Sequence, residues 1–233
     1  MDYDAAPPMP VADYRRVQMM IPGAEALYSC LRAVMDVSLP TGAEVLIVGA
    51  GGGREIEALA PSDKAYRLTG VDPSGDMLSV ARDYVASTDA TDRTVLVKGT
   101  VNDLEHGLRF DAATSMLVMH FFPDDGTKLD YLRAIRRRLR PGAPYVHADV
   151  SAADRAMFAR LSPVVEAHGG LVGLPPEVAG APGRHIGQMA FDGPKALVVP
   201  ERRTLELFEE AGFRPVAPIF RSLWYAAWWA EAV

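Results

Sequence analysis

One short segment constrains this chain more than any other. The continuous apolar run Val45-Leu46-Ile47-Val48 leads straight into Gly49-Ala50-Gly51-Gly52-Gly53. An apolar run of this length suits a parallel strand buried on both faces. A turn from such a strand directly into a helix needs backbone freedom and close approach, and glycine supplies both. The spacing Gly-x-Gly-x-Gly is tighter than the dinucleotide fingerprint, whose last glycine would fall on Arg54. A side chain there cannot allow the same close helix packing.

The rest of the chain repeats the strand–helix rhythm. Further strands are predicted at 66–71, ending at Asp72, then at 94–97, 110–118 and 145–150. Helices are predicted at 54–59, from Ser74 to 86, and at 128–139, where Pro141-Gly142 follows. This alternation implies a doubly wound, Rossmann-like α/β sheet, mainly parallel. Such sheets bind ligands at the carboxyl ends of their strands.

Residues 151–200 break the rhythm with many glycines and prolines and a helix predicted at 152–168. They read as an insertion between strands five and six, over the active edge. A helix at 202–211 and two strands at 213–221 and 223–230 complete seven strands, the last antiparallel. Trp224 and Trp228 are placed on one face of the last strand, with Tyr225 and Trp229 on the other. Near the N-terminus, 11–37 reads as helical, broken by Pro22-Gly23. The organisation expected is one domain over 1–233: an N-terminal helical lid (1–40), a core (43–150), an insertion covering the substrate (151–200), and the last helix and strand pair (201–233).

Composition narrows the function. The net charge of −6 disfavours a nucleic-acid partner. The basic cluster Arg136-Arg137-Arg138 with Arg140 reads as a solvated helix end. The single cysteine, Cys30, excludes an intrachain disulfide, and no Cys/His cluster suggests a metal. The acidic start lacks a signal-peptide pattern and no run is long enough for a membrane span, so a cytoplasmic protein is expected.

Asp72 adds chemistry to the turn. A carboxylate at the end of the second strand can accept two hydrogen bonds from a ribose diol. Beside a glycine spacing too tight for a pyrophosphate, it points to a nucleoside cofactor such as S-adenosylmethionine (SAM).

At this point the chain resembles the class I SAM-dependent methyltransferases, over roughly 43–150 and the last two strands. The residues that carry the resemblance are the glycine turn, Val71-Asp72-Pro73-Ser74-Gly75-Asp76-Met77-Leu78, and Lys98-Gly99-Thr100-Val101-Asn102-Asp103-Leu104. Phe110 to Pro123, Leu139-Arg140-Pro141-Gly142-Ala143 and Glu210-Ala211-Gly212-Phe213 continue it in order. The resemblance implies a methyltransferase with SAM as cofactor and S-adenosylhomocysteine (SAH) as product. It implies cofactor contacts from Gly49, Ala50, Gly51, Gly53, Asp72, Pro73, Met77, Thr100, Val101, Asn102 and Leu117. Tyr14 and Met20, in a segment like the lid helix of small-molecule members, would close over the cofactor.

Two departures stand out. The family usually has an acid where this chain has Ile47, and often an aspartate where it has Thr100. Each loses an acceptor, at a cost of about 1–3 kcal/mol if unreplaced. Asn102, Asp103 or Glu55 are the candidates to replace them. A catalytically silent SAM-binding or regulatory protein is therefore one alternative. A nicotinamide-dependent oxidoreductase or an RNA methyltransferase fits the glycine spacing or the charge less well.

For transfer to an oxygen or nitrogen of a small molecule, the candidate base is His120, following the fourth strand, with Asp149 near the end of the fifth. Phe121, Arg155, His185 and Met189 are the candidate substrate contacts. A monomer or homodimer is expected.

Overall fold

The computed structural model describes residues 18–151, 154–180, 184, 187–188, 191 and 197–233. Seven strands form one sheet: β1 (Glu44–Val48), β2 (Arg67–Asp72), β3 (Thr94–Lys98), β4 (Ala112–Met116), β5 (Pro144–Val150), β6 (Phe213–Ser222) and β7 (Tyr225–Ala232). Their order is β3-β2-β1-β4-β5-β7-β6. β1 to β5 are parallel, and β7 runs antiparallel to both its neighbours. The helices are α1 (Ala24–Ser38), α2 (Arg54–Leu59), α3 (Gly75–Ala86), α4 (Thr127–Arg136), α5 (Arg155–Leu171), α6 (Pro176–Ala179) and α7 (Glu201–Ala211).

Burial explains the composition of the strands. All seven residues of β5 are buried, whereas the edge strand β3 has none fully buried. Along β1 the side chains alternate with period two. Leu46 and Val48 enter one core with Leu132 and Ile135 of α4, Phe208 of α7, and Trp228. Val45 and Ile47 enter the other with Leu27, Leu31 and Met35 of α1 and Ile56 of α2. A third cluster joins Met20 and Ile21 to Phe158 and Val165 of α5 and to Trp224. That cluster ties the N-terminal segment, the insertion and the last hairpin together over one end of the sheet. Each fully buried large aliphatic side chain contributes about 1.5–3 kcal/mol.

The sheet's order reverses between β1 and β4. The chain builds outward through β2 and β3, then returns to the other side of β1. In open parallel sheets a reversal of this kind is where ligands bind, outside the carboxyl ends of the strands.

Several boundaries differ from the sequence reading, each for a local reason. β4 is shorter than 110–118. Phe110 makes only an isolated bridge to Leu139. Leu117 turns into the left-handed region at φ 61, with its N–H bonded to the Ala148 carbonyl. The helix of the insertion begins at Arg155, where Asp154 caps it by accepting from the Met157 N–H, and it continues to Leu171. Trp224 is not on the last strand. It precedes β7 in the hairpin turn beside Leu223 (φ 54) and stacks on Phe158, with ring centroids 4.6 Å apart. The arginine cluster is also more than a solvated helix end. Arg136 donates to the Gly212 and Val233 carbonyls, Arg138 to those of Leu104 and Glu105, and Arg140 pairs with Asp111. Among the described residues no helix is long and apolar enough to cross a membrane.

Candidate active site

The glycine turn is shaped by what surrounds it. Gly49 (φ 79) and Gly53 (φ 67) are left-handed, a region glycine occupies without strain. A Cβ at Gly49 would lie 2.3 Å from Cγ2 of Val118. A Cβ at Gly51 would lie 2.4 Å from Cβ of Met77 and 2.7 Å from Oδ2 of Asp72. Ala50, between them, is fully buried. The turn therefore packs directly against the ends of β2 and β4.

Asp72 closes this arrangement. Its Oδ2 accepts from the Gly51 N–H at 3.0 Å and its Oδ1 from the Ser74 N–H at 2.9 Å. Burial pushes its carboxyl above the usual range, and the two N–H donors only partly restore it. A carboxylate offers about four acceptor sites, so each oxygen retains one for a further donor. Asp72 and Pro73 are half-buried, and Met77 lies over Gly51 after the Ser74 cap of α3.

The loop after β3 is a capped turn. The Thr100 hydroxyl accepts from the Asn102 N–H and donates to Asp103, which also accepts the Thr100 N–H at 2.7 Å. These Thr100 donors hold the Asp103 carboxyl below its ordinary range. Asp103 Oδ2 is thus engaged within its own turn. Thr100 and Asn102 are exposed, while Val101 is buried beside Leu104.

A polar network lies at the ends of β4 and β5. His120 Nδ1 is 2.5 Å from Oδ1 of Asp149, and both side chains are nearly buried. Burial works to raise the Asp149 carboxyl. The charge and hydrogen bond of His120, then His147 and Lys128, overcome it and hold the group below the usual range. His147, fully buried, is pushed down to about 4, first by burial and then by Lys128 and His120, against the pull of Asp149. Its Nδ1 is 3.0 Å from the Tyr145 hydroxyl. Lys128 is only 1% exposed and donates to the Met119 carbonyl at 2.6 Å, which fixes the turn that carries His120. Burial lowers its pKa, against the attraction of Asp149 and Asp124. Ser115 and Tyr131 share a hydrogen bond of 2.6 Å nearby.

Sequence reasoning missed Lys128, Ser115 and Tyr131. One signal for Lys128 was present: it shares a helical stripe with Leu132, Ile135 and Leu139. A cation on an apolar stripe is rarely buried without a partner. Ser115 and Tyr131 carried no comparable pattern.

The other candidates are dispersed. Phe121 packs on the His120 ring, with centroids 4.3 Å apart. Leu117, half-buried, forms the bend after β4. Met20 is fully buried in the third core cluster, a packing position between the lid segment and the insertion. Arg155 donates to the Phe191 carbonyl at 2.9 Å and covers the Phe191 ring, so it is engaged within the insertion. Tyr14, His185 and Met189 lie outside the described residues.

These features fit a nucleoside cofactor with a cationic side chain. Asp72 retains acceptor sites, Gly49 and Gly51 leave no room for a Cβ, and a buried oxygen of Glu55 lacks a partner. In contrast, Ile47 is fully buried in the apolar core against α1 and offers no acceptor.

Comparison with known proteins agrees with this geometry. Residues 45–142 match the model of a methyltransferase domain family. No curated sequence matches the chain. Among solved structures, the chain is similar to a SAM-dependent methyltransferase from Aquifex aeolicus, at 17% identity, a TM-score of 0.61, and coverage of 97% of this chain and 100% of that one. It is similar to another SAM-dependent methyltransferase, from Clostridium acetobutylicum, at 12% identity and TM-score 0.62, over 89% of this chain and 91% of that one. A family 2 O-methyltransferase from Planctomyces limnophilus, solved with apigenin, shares 16% identity at TM-score 0.64, over 95% of this chain and 62% of its own. At such identities the structures bear on the fold, and the domain match bears on the family. Residues 45–142 thus match a methyltransferase domain, the fold is shared with SAM-dependent methyltransferases, and SAM is the cofactor that these findings support.

Proposed function

We propose that this protein transfers a methyl group to an oxygen or nitrogen of a small molecule, with His120 as general base. The observation that carries this reading is the buried His120–Asp149 pair at the carboxyl ends of β4 and β5.

Bound SAM supplies a methyl on a positively charged sulfur. Asp72 would hold the ribose, Met77 and Val101 would pack on the adenine, and the Gly49–Gly53 turn would lie against the methionine part. Thr100, Asn102, Leu117 and the lid residues Tyr14 and Met20 complete the proposed contacts. Holding the reactants aligned is the main contribution such a site makes.

In this reading the His120 Nδ1–H donates a hydrogen bond to Asp149, which leaves Nε2 as the acceptor of the ring. His120 Nε2 then takes the proton that the acceptor loses, and Asp149 stabilises the resulting imidazolium. A positioned base of this kind contributes about 10²–10⁴-fold. Lys128 keeps the turn of His120 in place by bonding the Met119 carbonyl. Phe121 would form one wall of the acceptor pocket, with the insertion 151–200 above it. Arg155, His185 and Met189 are its proposed contributions to acceptor binding. The net charge of −6 favours a small molecule over a nucleic acid, and the Planctomyces limnophilus structure with apigenin shows a protein of this fold with a small molecule.

A methyl-transfer screen with labelled SAM across phenols, carboxylic acids and amines tests the proposal. Label in at least one small acceptor is expected. Tight SAM binding with no labelled acceptor would favour a silent SAM-binding protein.

A further inference from the structure

We infer that Glu55 is the acceptor for the amino group of the bound cofactor, in the role left open by Ile47, and that it releases its proton as the cofactor binds. The inference rests on the SAM reading above and adds a residue and a proton to it.

Glu55 is the second residue of α2, directly after the glycine turn. It is only 4% exposed, and its Oε1 is buried without a hydrogen-bond partner. Its surroundings place the carboxyl at the cofactor end of the sheet. Asp72, which bonds the Gly51 N–H, acts on it electrostatically. Glu55 in turn acts on the Tyr131 hydroxyl, which is bonded to Ser115 at the end of β4. The carboxyl therefore belongs to the helix turn that follows Gly53, within electrostatic reach of Asp72 and Tyr131.

Among the described residues no cation neutralises it by contact. Arg54 turns its two terminal nitrogens to Glu25 at 2.6 Å and Glu57 at 2.7 Å, under the Tyr28 ring. Lys128 is bonded to the Met119 carbonyl. Burying an ionised carboxylate without a partner is costly, so such a group stays protonated instead. Burial and Asp72 push the Glu55 carboxyl up to about 8, against its own backbone N–H and Arg54. A buried acid with an open acceptor is suited to an incoming ammonium. When the ammonium arrives, the O–H bond of Glu55 breaks, the proton leaves to solvent, and a charge-assisted N–H···O bond forms. Ile47 cannot do this, because it faces the apolar core against α1.

Cofactor affinity should then rise with pH below about 8, where the free protein holds this proton. The test is calorimetric titration near pH 6.5 in two buffers of different ionisation enthalpy. At that pH a ligand amino group is protonated, so it contributes no proton of its own. The ligands are SAH and its desamino analogue. We expect close to one proton released per SAH and almost none with the analogue. Both ligands carry the ribose, so a proton from Asp72 would appear with both. Glu55→Gln should bind SAH at least tenfold more weakly, release no proton, and bind the analogue like the parent. Proton counting on the parent needs no variant, so a misfolded Glu55→Gln leaves the question decidable. SAH binding without proton release, or parent-like SAH affinity in a folded Glu55→Gln, overturns the Glu55 assignment alone. Failure of the parent to bind either ligand at millimolar concentration overturns the cofactor reading, and the assignment with it.

Discussion

The two halves of the site are built by different means. At the ends of β1 and β2 the geometry is set by backbone: left-handed glycines, and N–H groups that fix Asp72. At the ends of β4 and β5 it is set by side chains from separate elements, with His120, Lys128 and Asp149 brought together by the sheet. Backbone-built sites are specified locally and resist any added atom. Buried side-chain networks depend instead on each polar group keeping its partner.

The contrast can be broken most strongly at Asp149. Asp149→Ala removes the buried carboxylate that is hydrogen-bonded to His120 and attracts Lys128. Removing one partner of a buried pair costs about 3–5 kcal/mol. Chemical denaturation should show that loss.

A slightly smaller effect separates the halves by pH. His147 titrates near 4 in the folded protein and near 6.5 when unfolded. The unfolded chain therefore binds more protons between those values. Stability from His147 is complete above about 6.5 and lost as pH falls through about 4, a change of about 3 kcal/mol. Glu55 has the opposite sign. Its folded value near 8 exceeds the ordinary 4.5, so its contribution is present below 4.5 and lost as pH rises through about 8. Stability measured across pH should show His147→Gln flattening the acid side relative to the parent, and Glu55→Gln flattening the alkaline side. The same slope in parent and variants would contradict the buried states assigned to both groups.

Gly51→Ala sharpens the contrast from the backbone side. The new Cβ would meet Met77 and Asp72, and overpacking of this kind costs about 1–3 kcal/mol. Thermal denaturation should register it, with weaker SAH binding in calorimetry. The smallest expected effect is Ser74→Ala, which removes the cap of α3 that accepts from Met77 N–H. About 1 kcal/mol of stability should be lost, with little change in methyl transfer.

The same division explains what could be read from the residues alone. The glycine turn, Asp72 and the strand–helix rhythm are local patterns; they carry seven strands with an antiparallel β7, while the order of the strands is a matter of tertiary pairing. β4 was read too long because the apolar residues Leu117 and Val118 continue its pattern, while the chain has already turned at Leu117. Trp224 matched the period of β7, but its turn carries it to Phe158. Lys128 and Tyr131 lie on α4, and only the packing of that helix against β4 and β5 brings them to His120 and Ser115. Asp103, read as one candidate acceptor, has its Oδ2 bonded by Thr100, a contact that its capping-box spacing permits but does not require.

The most direct test of the account is a paired measurement on the parent and His120→Gln. SAH affinity and the rate of labelled methyl transfer from SAM are read on the same preparations. The account predicts SAH affinities within about threefold and transfer slower by about 100-fold or more in the variant. Equal transfer rates, or SAM binding by the parent with no methyl transferred to any small acceptor, would contradict it.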